Sequence, residues 1–171
     1  MSELIGQIFP ETYDGKRIVM RTPWAQPGEQ IVPAGSPPNF AFQGNPYQSA
    51  TDLPFEVHAI KPRASVSLAA SPFIPVAEPA PGINKFWRLL VKSLTISEDL
   101  MQGACLVDTL VDDDTGFWNF GYPTYVKAGT GFTVKVDSLV PAPLVLRAEV
   151  TFHGYLILTE DNPAWIKSRG G

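Results

Sequence analysis

The chain has 171 residues, a formal net charge of −4 and a single cysteine, Cys105. That length suits one domain with a substantial core, and a lone cysteine excludes an intrachain disulfide. No Lys/Arg-rich block is present, which argues against a nucleic-acid-binding surface.

The N-terminal stretch "MSELIGQIFPETYDGKR" has no long apolar run, so neither a signal peptide nor a membrane span is expected there. Synthesis in the cytoplasm follows as the expectation. The first strand candidate is "KRIVMRT" (16–22). After it comes the least ordinary part of the sequence, residues 22–53, in which Glu29 and Asp52 are the only charges. This segment is proline-rich, yet it carries Trp24, Phe40, Phe42 and Tyr47. A disordered linker has little apolar surface to bury, whereas this one has a good deal. The expectation is an ordered, extended arm or long loop, anchored by those four aromatics on its own domain or on a second subunit. Its prolines hold it extended and leave fewer backbone donors to satisfy, which suits a segment without ladder partners.

Twelve of the 17 prolines fall between Pro23 and Pro81, so the first half reads as short strands joined by long connections. "PFEVHAI" (54–60) alternates Phe55, Val57 and Ala59 against Glu56 and His58, and "RASVSLA" (63–69) follows a Lys61-Pro62 break. "FWRLLVKSLTI" (86–96) is apolar on both faces, as expected of a doubly buried strand or an interface. Ser97 and the following "EDLMQ" fit one capped turn of helix. "ACLVDTLV" (104–111) and "GFWNF" (116–120) flank a tight turn at Asp112, Asp113, Asp114, Thr115 and Gly116, with Gly in the left-handed position. "GFTVKVD" (131–137) alternates cleanly. In "LVLRAEVTFHGYLILT" (144–159), Leu144, Leu146, Ala148, Val150, Phe152, Leu156 and Leu158 share one face. Arg147, Glu149, Thr151 and His153 share the other.

Eight or nine strands at short spacing, joined by long proline-rich excursions, predict an all-β fold. A single jelly-roll barrel or sandwich of about eight strands, spanning residues 1–171 as one domain, suits them better than a meander.

Chemistry is sparse. No nucleophile elbow, P-loop or zinc-protease motif is present, so no catalytic residues are assigned and no enzyme is expected. His58 and His153 share strand faces with Glu56 and Glu149, a two-histidine, two-carboxylate candidate for a metal if the strands are neighbours. Lacking a spacing motif, they are read as surface or rim histidines, and no metal or cofactor is assigned. The Asp112–Asp114 cluster lacks the EF-hand pattern and is read as turn chemistry. Cys105, in an apolar run with no basic neighbour, is read as a buried structural thiol. Trp24, Trp87, Trp118, Trp165, Tyr47, Tyr122 and Tyr125 are candidates for core packing, an interface or a sugar-stacking face. Of these, Trp87 and Trp118 are assigned to the core. Trp165, in an irregular segment, joins Trp24, Phe40, Phe42 and Tyr47 as a candidate interface residue.

The strand-rich pattern, the "GKRIVMRTPW" strand-to-arm transition and the closing "LRAEVTFHGYLIL" strand resemble the small major capsid proteins of tailless icosahedral phages that contain an internal membrane, notably those of thermophilic bacteria. In that family the coat is built from two single-jelly-roll proteins, the smaller of about this size. The resemblance implies a structural coat protein of the virion that assembles with itself, as a homodimer or larger, and with a second, larger capsid protein. It implies proximity to an internal viral membrane, no direct contact with nucleic acid and no catalytic residues. The alternative is a carbohydrate- or receptor-binding jelly-roll module, such as a spike or fibre head.

Overall fold

The computed structural model of the chain describes residues 8–35, 40–41, 53–76, 83–93, 103–139 and 144–169. Over these residues the protein is all-β, with two antiparallel sheets sharing one apolar core. A two-residue strand β1 (Thr12–Tyr13) turns at Asp14–Gly15 into β2 (Lys16–Val32). Both turn residues have positive φ, 50° and 73°, as a tight two-residue hairpin requires and as Asp-Gly readily allows. Then come β3 (Phe40–Ala41), β4 (Phe55–Ser67), a 3-10 turn at Ile83–Phe86 and β5 (Trp87–Ser93). The rest of the chain forms β6 (Cys105–Leu106), α1 (Val107–Leu110), β7 (Trp118–Val126), β8 (Phe132–Ser138), β9 (Val145–Thr159) and α2 (Pro163–Arg169). The larger sheet runs in the order β1-β2-β9-β4-β7, the smaller in the order β3-β8-β5-β6.

The alternation read in β9 sets the core. Leu146, Ala148, Val150 and Phe152 face inward against Val134 and Val136 of β8 and Leu89 and Val91 of β5, all buried. Phe152 stacks on Phe132 with ring centroids 4.3 Å apart and planes within 4°, joining the two sheets through the middle. Trp87 is fully buried, and Trp118 packs against the core from the end of β7.

The structure corrects several expectations. Thr22–Val32 is no free arm: it continues β2 and pairs residue by residue with β9, from Thr22 opposite Leu156 to Val32 opposite Leu146. Pro23 and Pro27 are tolerated because β9 lies on one side only, and among the described residues just Thr12–Tyr13 pair on the other. Lys61-Pro62 is likewise no break, since β4 runs straight through it. Pro62 lies beyond Ile60, the last β4 residue paired with β7, so the donor it lacks is not needed there. "ACLVDTLV" gives only the two residues of β6 before turning into α1. Trp165 lies in a helix, not an irregular segment: Asn162 Oδ1 caps α2 by accepting from Ala164 N at 2.9 Å, and Pro163 fills the first helical position. The helical turn expected after Ser97 lies outside the described residues.

Candidate functional site

The most elaborate polar cluster sits on the outer face of the larger sheet, at an irregularity in β4. Val57 pairs with Gly154 and Ala59 with His153, so His58 is the extra residue of a β-bulge against β9. Glu56 and His58, two apart, share the outer face, and the extra residue lets Val57 and Ile60 both face the core. The close approach needs Gly154, where an added Cβ would lie 1.9 Å from the Glu56 carbonyl oxygen.

Glu56 is 0% exposed and His58 2%. Both carboxylate oxygens of Glu56 are taken. Oε1 accepts from Arg21 Nε at 3.0 Å and lies 2.7 Å from His58 Nε2. Oε2 accepts from Arg21 Nη2 at 3.0 Å and from Tyr125 OH at 3.2 Å. Arg21 Nη2 also donates to the Pro10 carbonyl, which ties the N-terminal segment down over the pair. Phe9 completes the roof. Its ring lies 4.9 Å from His58 and 5.7 Å from Tyr155, with the Arg21 guanidinium 5.6 Å from its centroid. Tyr155 meets His58 edge-on at 5.5 Å, and Tyr13 of β1 leans on Tyr125 at 5.0 Å.

Electrostatics follow from this packing. Burial pushes the Glu56 pKa up, but the hydrogen bonds from His58 and Arg21 and the charge of Arg21 outweigh it, leaving the carboxyl below its ordinary value. Burial, then the neighbouring Glu56 charge, raise the Tyr125 phenol, which keeps it protonated as a donor. With every oxygen occupied and a roof of Phe9 and Pro10, the carboxylate has no free lone pair facing solvent for acid–base work. What the arrangement does is staple residues 8–13 to strands β2, β4, β7 and β9.

His58 is therefore buried rather than at the rim, which corrects the expectation for it. The four-residue metal candidate does not assemble, although β4 and β9 are neighbours. Glu149 pairs with Arg147 at 3.2 Å, and Arg147 also reaches Glu29 at 2.5 Å. His153 packs edge-on to Phe117 at 5.0 Å. Among the described residues no group of three or more His, Cys, Asp or Glu side chains is placed to hold a metal ion. The Asp112 turn is closed on itself, its Oδ1 accepting from Thr115 N, Thr115 Oγ1 and Asp114 N, and Gly116 has the expected positive φ of 68°. Cys105 is half-buried, its thiol directed at the Gly103 carbonyl at 3.5 Å.

Of the candidate interface residues, Trp24 is exposed on β2, and Phe40 lies in β3, its backbone paired with Val136. Trp165 is half-buried in α2. Phe42 and Tyr47 lie outside the described residues. Trp24, Phe40 and Trp165 thus lie on three different elements, β2, β3 and α2. The staple was half visible in the sequence, since Glu56 and His58 share a strand face. Its other half, Arg21 and Phe9, is 35 or more residues away and carries no local signal. No family model matches the chain, and no curated protein or solved structure does either.

Proposed function

We propose that this protein is a structural coat subunit with a single jelly-roll fold, part of a virion shell, and not an enzyme. One observation carries the reading, the strand order. Numbering β2 to β9 as one to eight, the sheets run 1-8-3-6 and 2-7-4-5, the order of two interleaved Greek keys. The buried staple supports the same reading, since it spends the chain's richest polar cluster on holding its own N-terminal segment in place. In this role the subunit assembles with itself and with a second, larger coat protein, close to an internal viral membrane and without direct contact with nucleic acid. A sugar-binding module gains little support by comparison. Of its stacking candidates, the two exposed ones among the described residues, Trp24 and Tyr122, lie on β2 and β7, with β9 and β4 between them, roughly 14 Å apart.

The test is electron microscopy of the purified protein over a range of concentration and salt. Ordered arrays, rings or shells of regular spacing are expected. Dispersed particles under all conditions, together with saturable binding on a glycan array, would replace the coat reading with the lectin one.

A further inference from the structure

At one end of the sandwich the described loops carry a run of exposed apolar residues. β2 ends at Val32 opposite Leu146, β4 ends at Ser67 opposite Val145, and β9 begins at Val145, so all three strands meet there. The second sheet reaches the same end: β8 stops at Ser138 opposite Trp87, the first residue of β5, and only residues 139–144 separate it from β9. The described residues that run on from these strand ends, 33–35, 68–76 and 139, carry no charge.

The charges that border this end are paired: Arg147, bound to Glu29 and Glu149, lies 5.8 Å over the Phe73 ring, and Arg88 pairs with Asp137, while the exposed centre is apolar. Leu68, Ile74, Val76, Phe86 and Leu139 are each between 43% and 70% exposed. They are held in place. Ile74 N donates to Ser67 Oγ at 3.2 Å, and Val76 N donates to the Val66 carbonyl at 2.8 Å, folding this loop back on the end of β4. Leu139 N donates to the Phe86 carbonyl at 2.7 Å, setting those two side by side. Together the five present on the order of 500 Å² of apolar surface, at the upper end of what the largest patch of a monomer shows. Exposed Pro33, Ala34, Ala69, Ala70, Pro72 and Pro75 extend it toward the roughly 800 Å² each partner buries in a standard interface.

From this we infer that the apolar end is a self-association surface whose occupant is the same end of a second copy of this chain. A surface whose exposed centre is apolar needs a partner that brings no charge to desolvate there, and a second copy brings one of identical chemistry, as a two-fold interface requires. The margin carries both signs. Lys85 lies on the 3-10 turn, which packs against α1, and Asp113 and Asp114 follow just beyond α1. Two copies can therefore set lysine against aspartate around an apolar centre, the anatomy of a specific interface. This inference rests on the geometry of the end alone, not on the coat reading.

Sedimentation velocity and light scattering of the intact chain test it. The expected species is a dimer at about 10–100 μM, in the range of a moderate-affinity interface. Ile74→Glu and Leu139→Glu, made separately, should each weaken dimerisation at least about tenfold, while Tyr122→Glu, on the exposed part of β7, should leave it unchanged. Circular dichroism of each variant shows that it is folded, and the two end variants guard against either one failing to fold. A wild-type protein monomeric throughout this range overturns the inference, as does a dimer that tolerates both end substitutions.

Discussion

At the residue scale, two carboxylates are buried among the described residues, Glu56 and Asp137, each paired with an arginine. Glu56 is fully buried, while Arg21, its main partner, is about one-fifth exposed. Removing the arginine takes away the carboxylate's permanent counter-charge and the two hydrogen bonds that came with it, the costly half of breaking a buried pair. Arg21→Ala is expected to lose about 3–5 kcal/mol of unfolding free energy in urea. Glu56→Gln in the Arg21→Ala background should recover part of that loss, because the uncompensated charge is gone. Acid acts on the same chemistry with a definite sign. The native Glu56 pKa lies below its ordinary 4.5, so its contribution is whole above that value and is lost as the pH falls through the depressed native one. His153 opens an earlier window. Burial first, then the charges of Lys61 and Arg63, hold its native pKa below the ordinary 6.5. The unfolded chain therefore takes up the proton first, and stability declines as the pH falls below 6.5 until the native imidazole protonates too. Melting temperatures of His153→Gln should accordingly be flatter than those of the wild type between about pH 7 and 5. A wild-type curve already flat over that interval would contradict the assignment.

At the scale of elements, the N-terminal segment is the piece whose removal should be felt locally. Residues 8–13 cover Glu56 and His58 through Phe9 and Pro10, with Phe9 only half-buried. Deleting residues 1–10 should lower stability by about 2 kcal/mol, from lost ring burial and a lost acceptor for Arg21. In hydrogen exchange the deletion should loosen residues 56–58 and 154–155 while leaving Leu89–Val91 of β5 as protected as before. The elements also show where sequence reading worked. In β9 and β8 an apolar residue at every second position meets one buried face, so period two is enough. It failed in β2 and β4 because Pro23, Pro27 and Pro62 look like breaks along the chain. They are harmless where the neighbouring strand lies on one side only, and that is a property of topology. The staple escaped for a related reason. Arg21 meets Glu56 only after β9 is laid between β2 and β4 and the β1–β2 hairpin folds back, so no spacing along the chain announces it.

For the whole molecule, the question is whether the two sheets are one cooperative unit. Sequence patterning places Trp87 and Trp118 in the core but cannot say that they report on different sheets. Trp87 opens β5 of the smaller sheet and is fully buried, and Trp118 opens β7 of the larger. Between them runs a single cluster in which Val134, Val136, Leu89 and Val91 of one sheet interlock with Leu146, Val150, Ile60 and Val57 of the other. The parallel stack of Phe132 on Phe152 crosses the same interface. Among the described residues the buried apolar side chains form this one shared cluster, so an intermediate with one sheet intact would expose it to water. At roughly 25 cal/mol per Å² that cost outweighs anything one sheet alone retains. Unfolding is therefore expected to be two-state. Single-tryptophan variants, each keeping only Trp87 or only Trp118, should give denaturation midpoints that coincide with the loss of far-ultraviolet dichroism. Phe152→Ala should move all three curves together, by about 3–5 kcal/mol, because it empties the contact both sheets share. If the Trp118 curve instead separates from the Trp87 curve in either background, the sheets unfold independently, and the shared core is not what holds the molecule together.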